Sequence, residues 1–198
     1  MSSSRPAGTG TPALDAVVGL GSNLGNRQAM LRGAVQALRE IASAPLALSS
    51  LYETDPVGAP GPFICAAGRA DPAVRLGGPY LNAAVRLGWN GSPRNLLLAL
   101  LSIEKRFGRV RRERFGPRTL DLDVLFIADV LLEERDLAVP HPRLLERRFA
   151  LAPLLEVAPE ARHPTTGARF STWLERLPIA GVRRVAAADW ADASPVVF

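Results

Sequence analysis

The most constraining feature of the sequence is the run Leu120-Asp121-Leu122-Asp123, in which acidic and apolar residues alternate before the apolar residues VLFI. Alternate residues of a β-strand share a face, so both aspartates are predicted on one face and both leucines on the other. Neighbouring carboxylates repel each other unless a cation lies between them. Oxygen ligands suit Mg²⁺, which shares its coordination with water and substrate phosphates. The run therefore predicts a strand at 120–127 with a metal site at one end.

Arginines dominate the segment just before this run, residues 108–119. A guanidinium group binds phosphate oxygens through parallel hydrogen bonds, so this segment and the acidic pair together predict a site for a metal–nucleoside triphosphate complex. The alternative is a solvated basic loop before an ordinary strand, which leaves two acids on one face of an apolar strand unexplained. The arginines are Arg109, Arg111, Arg112, Arg114 and Arg118.

The order of these residues resembles the signature of a known family. Arg-Val-Arg at 109–111, followed by Phe-Gly-Pro-Arg-Thr-Leu-Asp-Leu-Asp at 115–123, is similar to that of the 6-hydroxymethyl-7,8-dihydropterin pyrophosphokinases of folate biosynthesis. The resemblance covers roughly residues 17–160. It implies an enzyme that transfers the β,γ-diphosphate of ATP to the hydroxymethyl group of a reduced pterin and releases AMP.

The resemblance also implies which residues act on ATP. Asp121 and Asp123 match the family's magnesium ligands, and two Mg²⁺ ions are expected with the nucleotide. Arg118 is expected on the phosphates, where Arg109 and Arg111 would add positive charge. The implied ATP-binding residues are Glu104, Arg118, His141 and Arg147.

The implied pterin pocket combines aromatic faces with amide groups, as a flat polar heterocycle requires. Tyr80-Leu81-Asn82 matches a Tyr-Leu-Asn of the family, in which the Asn contacts the pterin edge. Asp55 and Val57 stand where the family has proline and leucine, and Phe115 replaces a common tryptophan. The implied pterin-binding residues are Thr54, Val57, Tyr80, Asn82, Phe115 and Phe149.

Hydrophobic periodicity predicts the order strand, helix, strand, strand, helix, strand. This order is typical of an α+β fold of the ferredoxin-like type, an antiparallel sheet with helices packed on one face, and the resemblance implies the same fold. Asn26 and Ser92 are predicted N-caps. Pro153 is predicted to break a helical segment at 143–156 into two pieces. The predicted strands are 16–20, 46–54, 80–89 and 120–127, and the predicted helices are 27–41, 93 to about 108, and 172–177.

The chain is predicted to form a single domain at residues 16–178, because 198 residues with 47% hydrophobic content can bury a core without disulfides or structural metal ions. Residues 1–15 are predicted to be a flexible N-terminal tail and residues 179–198 a C-terminal tail. Residues 59–79, rich in Gly, Pro and Ala, are predicted to be a long loop insertion. The Gly-Ser-Asn turn at 21–23 also occurs in the family, and we interpret it as turn chemistry rather than a direct catalytic group.

Composition also limits location and partners. No apolar run approaches the length of a membrane span and the N-terminus lacks the apolar core of a secretory signal, so we expect a cytoplasmic protein with no membrane partner. The single Cys65 excludes an internal disulfide. The net charge of +5 predicts an anionic partner, here ATP. A P-loop requires a Gly-Lys step, and the only lysine, Lys105, follows Glu104, so ATP is expected to bind without a P-loop. We expect ATP and a reduced pterin as partners, no nucleic acid, and a monomer with at most transient contacts to other folate-pathway enzymes.

Two other functions fit part of the sequence. Ferredoxin-like folds bind RNA through aromatic residues on strands, but the Gly-Phe-aromatic strand signature is absent and Asp121 and Asp123 would repel a phosphate backbone. A nucleotidyltransferase would combine Gly-Ser with a nearby Asp-x-Asp pair. Here Gly21 and Asp121 lie far apart in the sequence, on separate elements, which disfavours that reaction.

Overall fold

The computed structural model of the protein describes residues 14–55, 78–108 and 118–192. Its centre is a six-stranded sheet in which all the pairings are antiparallel. The strands run in the order β5-β1-β4-β3-β8, and β2 pairs with β4 beside β3. A separate hairpin pairs β6 with β7. The strands are β1 (Leu14–Ser22), β2 (Ala47–Leu48), β3 (Leu51–Thr54), β4 (Tyr80–Trp89), β5 (Asp121–Ile127), β6 (Leu132–Glu133), β7 (Ala138–Val139) and β8 (Val182–Ala186).

Both of the long helices begin at the predicted N-caps. Asn26 Oδ1 accepts a hydrogen bond from the Ala29 N–H at 3.1 Å, and Ser92 Oγ accepts one from the Asn95 N–H at 3.2 Å. The second helix ends just before Gly108, whose φ of +74° is a conformation that favours glycine. The helices are α1 (Arg27–Ile41), α2 (Pro93–Arg106), α3 (Arg148–Val157) and α4 (Ser171–Leu174), with 3₁₀ turns at Leu144–Glu146 and Ala188–Ala191.

The sheet has two unlike faces. The covered face, which includes Val18, Leu20 and Leu122, packs against α1 and α2 in one apolar cluster. The open face, which includes Val17, Ala84 and Leu125, packs against α3 over part of its area. The predicted antiparallel α+β fold is confirmed. The structure adds α3 on the opposite face, because its apolar stripe also requires burial.

The predicted helix break at Pro153 and the predicted single strand at 46–54 are both wrong. Pro153 lies inside α3, and the break falls instead at Arg147, whose φ of −120° and ψ of 99° are extended. A proline in the second turn removes a single backbone hydrogen bond, which the packed apolar face of α3 outweighs. The predicted strand at 46–54 is divided between β2 and β3. At the interruption, the Ala84 N–H donates to Ser49 Oγ at 2.8 Å.

The predicted C-terminal tail is wrong for residues 182–191. Strand β8 pairs with β3, and Trp190 is 2% exposed with its indole N–H donating to the Ser49 carbonyl at 2.9 Å. Residues 14 and 15, predicted in the N-terminal tail, belong to β1. Residues 1–13 and most of the predicted insertion lie outside the described residues. Across the described ranges, the helices are too short or too polar to cross a membrane.

Candidate active site

The candidate site lies on the open face, at the part that α3 leaves bare. Here Gly21 of β1 pairs with Asn82 of β4 on one side and with Asp121 of β5 on the other. A Cβ atom on Gly21 would lie 3.5 Å from Asn82 Oδ1 and 3.8 Å from Asp121 Cβ. The missing side chain therefore leaves a gap between an amide and an acidic group.

The acidic pair has the predicted orientation. Asp121 and Asp123 alternate in β5 with the buried Leu122, and both therefore share the open face with Leu125. The Arg118 guanidinium forms an ion pair with Asp121 Oδ2, and the two side chains keep 30% and 19% of their surface exposed. Arg118 thus contacts Asp121 and still offers surface to an anionic ligand.

Glu104 is not placed where the resemblance implied. Its side chain lies between α2 and β5, is 1% exposed, and accepts a hydrogen bond from the Leu122 N–H at 2.8 Å. A carboxylate that is buried to this extent has little surface with which to contact a nucleotide. We reassign Glu104 as a residue that holds the backbone between Asp121 and Asp123.

His141 and Arg147 lie close to the acidic pair. The His141 N–H donates to the Leu125 carbonyl at 2.8 Å, which fixes the segment after β7 against β5. Burial, followed by the charges of Arg147 and Arg143, lowers the pKa of His141. Burial also lowers the pKa of Arg147, and the carboxylates of Asp123 and Asp121 act in the opposite direction. Both predicted ATP-binding groups are therefore within electrostatic reach of the predicted metal ligands.

Two of the predicted pterin-binding residues, Asn82 and Thr54, lie on the other side of Gly21. Asn82 Nδ2 donates to Thr54 Oγ1 at 2.9 Å, and both residues are buried. Burial raises the pKa of Tyr80, while Arg118 lowers it and Asp121 raises it. Tyr80 thus lies near both halves of the site.

Phe149 is half-buried at the start of α3, with the Arg147 guanidinium carbon 5.6 Å from its ring centroid. A guanidinium group at this distance from an aromatic ring is held by a cation–π interaction. The remaining predicted site residues fall outside the described ranges, and their positions stay predictions. These are Val57, Arg109, Arg111 and Phe115.

The donor set fits magnesium. Within the described part of the chain, no cluster of three or more His, Cys, Asp or Glu residues could enclose a metal ion. Two carboxylates on one strand face supply hard oxygen ligands and leave further positions to water and phosphate oxygens, the arrangement that Mg²⁺ prefers.

The Gly-Ser-Asn turn lies beside the acidic strand although the two are far apart in the sequence. Gly21 and Asp121 are direct neighbours across the β1–β5 pairing, so their separation in the sequence is no argument against a nucleotidyltransferase. Ser22 and Asn23, interpreted as turn chemistry, contact the backbone of Arg118 and Thr119. The sequence showed two polar residues directly after an apolar strand, but their hydrogen-bond partners depend on the fold.

Comparison with known proteins decides the family. The family model for 7,8-dihydro-6-hydroxymethylpterin-pyrophosphokinase (HPPK) matches residues 17–159. The chain belongs to the HPPK family. The resemblance stated from the arginine and aspartate residues is therefore confirmed, as is the predicted enzyme class, an ATP-dependent pyrophosphokinase.

Individual relatives agree with this assignment. A 2-amino-4-hydroxy-6-hydroxymethyldihydropteridine pyrophosphokinase of Synechocystis sp. is 38% identical over 172 residues, which cover 86% of this chain and 80% of that protein. The pyrophosphokinase of the same name from Bacillus subtilis is 40% identical over 154 residues, which cover 77% of this chain and 83% of that protein. The solved Plasmodium falciparum HPPK-DHPS has a TM-score of 0.59 and 17% identity. That match covers 83% of this chain but 44% of the larger protein, and it shows the shared fold alone.

Proposed function

We propose that this HPPK family member transfers the β,γ-diphosphate of ATP to the hydroxymethyl group of 6-hydroxymethyl-7,8-dihydropterin, which yields the pterin diphosphate and AMP. The observation that supports this proposal most directly is the pairing of Gly21 with both Asn82 and Asp121. It brings a group suited to a pterin and a group suited to a metal–triphosphate to opposite sides of one gap.

On the nucleotide side, Asp121 and Asp123 would hold Mg²⁺. When bound, the metal neutralises triphosphate charge. The His141 Nδ1 atom accepts a hydrogen bond from the Arg143 N–H at 3.1 Å. In the neutral imidazole that its lowered pKa favours, the proton therefore resides on Nε2, which can donate to a phosphate oxygen. Arg118 and Arg147 add charged donors.

On the acceptor side, Asn82 is oriented by Thr54. Because Nδ2 donates to Thr54 Oγ1, the amide oxygen Oδ1 remains directed toward the gap above Gly21. An oxygen in this position accepts hydrogen bonds from the N–H groups of a pterin edge. Tyr80 and Phe149 offer ring faces for stacking.

The reaction follows from holding the two substrates in line. The pterin hydroxyl oxygen forms a bond to the β-phosphorus and loses its proton, and the bond from the β-phosphorus to the α,β-bridging oxygen breaks, so that AMP leaves with that oxygen. Phosphoryl transfer of this kind depends on positioning and charge stabilisation more than on covalent catalysis. The chain's arginines and Asn82 provide both.

Isotope labelling tests which phosphorus is attacked. With ATP labelled at the γ-phosphate, the label should appear on the pterin, and with ATP labelled at the α-phosphate it should remain in AMP. Formation of ADP, or α-label on the pterin, would contradict diphosphate transfer even if the metal site were correct.

We further propose that two Mg²⁺ ions bind with ATP. We also propose that the active species is a monomer, because β1, β4 and β5 of a single chain bring Gly21, Asn82 and Asp121 together. Manganese binding followed by electron paramagnetic resonance, with and without a non-cleavable ATP analogue, should count two ions in the nucleotide complex. Sedimentation velocity should give the mass of one chain at assay concentration; an active dimer would contradict the proposal.

A further inference from the structure

The turn between β1 and α1, at Ser22 and Asn23, is hydrogen-bonded to residues 118–119, which lead into β5. Three hydrogen bonds join them. Ser22 Oγ donates to the Thr119 carbonyl at 2.6 Å, the Asn23 N–H donates to the Arg118 carbonyl at 3.1 Å, and the Arg118 N–H donates to Asn23 Oδ1 at 2.8 Å. We name this contact the turn clamp.

The two side chains of the turn clamp are buried, so water cannot readily replace their hydrogen bonds. Ser22 is 0% and Asn23 3% exposed, so loss of either side chain would leave a backbone group of residues 118–119 without its partner in a site that water reaches poorly. Thr119 Oγ1 also donates to the Phe107 carbonyl at 3.1 Å. Thr119 is thus held both by β1 and by the end of α2.

The turn clamp sets where the Arg118 guanidinium lies. Arg118 is bound through its N–H and its carbonyl, and the side chain between them pairs with Asp121 three residues later. A shift of the Arg118 backbone would therefore move the guanidinium relative to the acidic pair. Misplacement of a catalytic group by about 1 Å can cost on the order of 100-fold in rate.

We propose that Ser22 and Asn23 are positioning residues of the site, which act through Arg118 on the alignment of the triphosphate. This proposal rests on the proposed function, since it assumes that Arg118 binds phosphate oxygens. It gives the Gly-Ser-Asn turn a part in the reaction without any contact to substrate.

The test compares Asn23→Ala with Asn26→Ala. Both remove an asparagine side chain from the same turn, but Asn26 caps α1 whereas Asn23 binds Arg118. We expect Asn23→Ala to lower kcat by about 10- to 100-fold with a small change in the KM for the pterin, and Asn26→Ala to change thermal stability and leave kcat near wild type. Equal kcat in both variants would overturn the proposal.

A double-mutant cycle separates positioning from a general loss of structure. If Asn23 acts through Arg118, the kcat loss from Asn23→Ala should largely vanish in an Arg118→Ala background; fully additive losses would contradict the turn clamp. Ser22→Ala provides a second variant should Asn23→Ala fold poorly, and it should follow the same pattern.

A binding measurement keeps the result separate from the reaction. Calorimetric titration with Mg²⁺ and α,β-methylene-ATP should show weaker binding to Asn23→Ala than to Asn26→Ala, whichever phosphorus the wild-type enzyme attacks. Unequal binding combined with ADP formation would reject the proposed reaction but retain the turn clamp. Equal binding combined with AMP formation would reject the turn clamp but retain the proposed reaction.

Discussion

The two faces of the sheet differ in what covers them and in what they carry. On the covered face, α1 and α2 bury a continuous apolar cluster that includes Val18, Leu38 and Leu100. On the open face, α3 covers Val17, Ala84 and Leu125. Gly21, the Asn82 amide and the acidic pair of the candidate site lie beyond it. The face that helices cover fully supplies most of the buried core, and the face that they cover only in part carries the candidate site.

This difference explains where the charges can lie. Burying an uncompensated carboxylate costs far more than an apolar residue contributes, so an acidic pair requires a face that ligands can reach. The buried Glu104 on the covered side supports the rule, because its carboxylate accepts the Leu122 N–H. Substitutions on the two faces should therefore fail in different assays.

The largest expected effect is on the open face. Asp121→Asn or Asp123→Asn should lower turnover by about 10³-fold or more, roughly 4 kcal/mol of transition-state stabilisation, because each removes a charged magnesium ligand. The measurement is AMP formation in Mg²⁺, with circular dichroism to verify the fold. Asp129→Asn is the matched control on the turn after β5. Near wild-type turnover of either site variant would refute the metal site.

The next effect is on the covered face. Leu100→Ala should reduce the free energy of unfolding by about 2–5 kcal/mol, because Leu100 is 0% exposed in the core beneath the sheet. Turnover per folded molecule should stay near wild type. Leu98→Ala in the same helix is the control, since Leu98 is 56% exposed. Urea denaturation checks both, and equal destabilisation of the two would contradict the assignment of the faces.

A smaller effect should follow from Trp190→Phe. The substitution removes the indole N–H bond to the Ser49 carbonyl and should cost about 1–2 kcal/mol of stability. Turnover should not change, because Trp190 belongs to the apolar cluster of the covered face. Unchanged stability in urea denaturation would show that this hydrogen bond contributes nothing to the stability of the domain.

The smallest effect concerns pH. Burial and the nearby arginines lower the pKa of His141, so the folded chain binds fewer protons than the unfolded chain below the ordinary histidine pKa of about 6.5. This difference makes stability fall as pH drops below that value. His141→Gln should show a shallower fall in urea denaturation between about pH 6.5 and 5, and the same slope as wild type above about pH 7.5. A steeper fall in the variant would contradict the sign.

Local sequence chemistry was sufficient for some of the regular elements but not for all. The bounds of α1 and β4 were predicted to the residue, because an N-cap at Asn26 and the pattern of apolar residues define them locally. Strand β8 was missed because its residues are mostly exposed and show no alternation. It forms only because β3 offers a free edge to pair with.

The sequence by itself determined the acidic pair, its common face and the family, since each depends on residues that are adjacent or closely spaced in the chain. The tertiary structure decided which groups meet across large separations. It placed Gly21 between Asn82 and Asp121, buried Glu104 under the acidic strand, and brought Ser22 and Asn23 to the backbone of residues 118–119. The physical reason is that strand pairing and helix packing, and not local pattern, bring residues so distant in the chain into hydrogen-bonding contact.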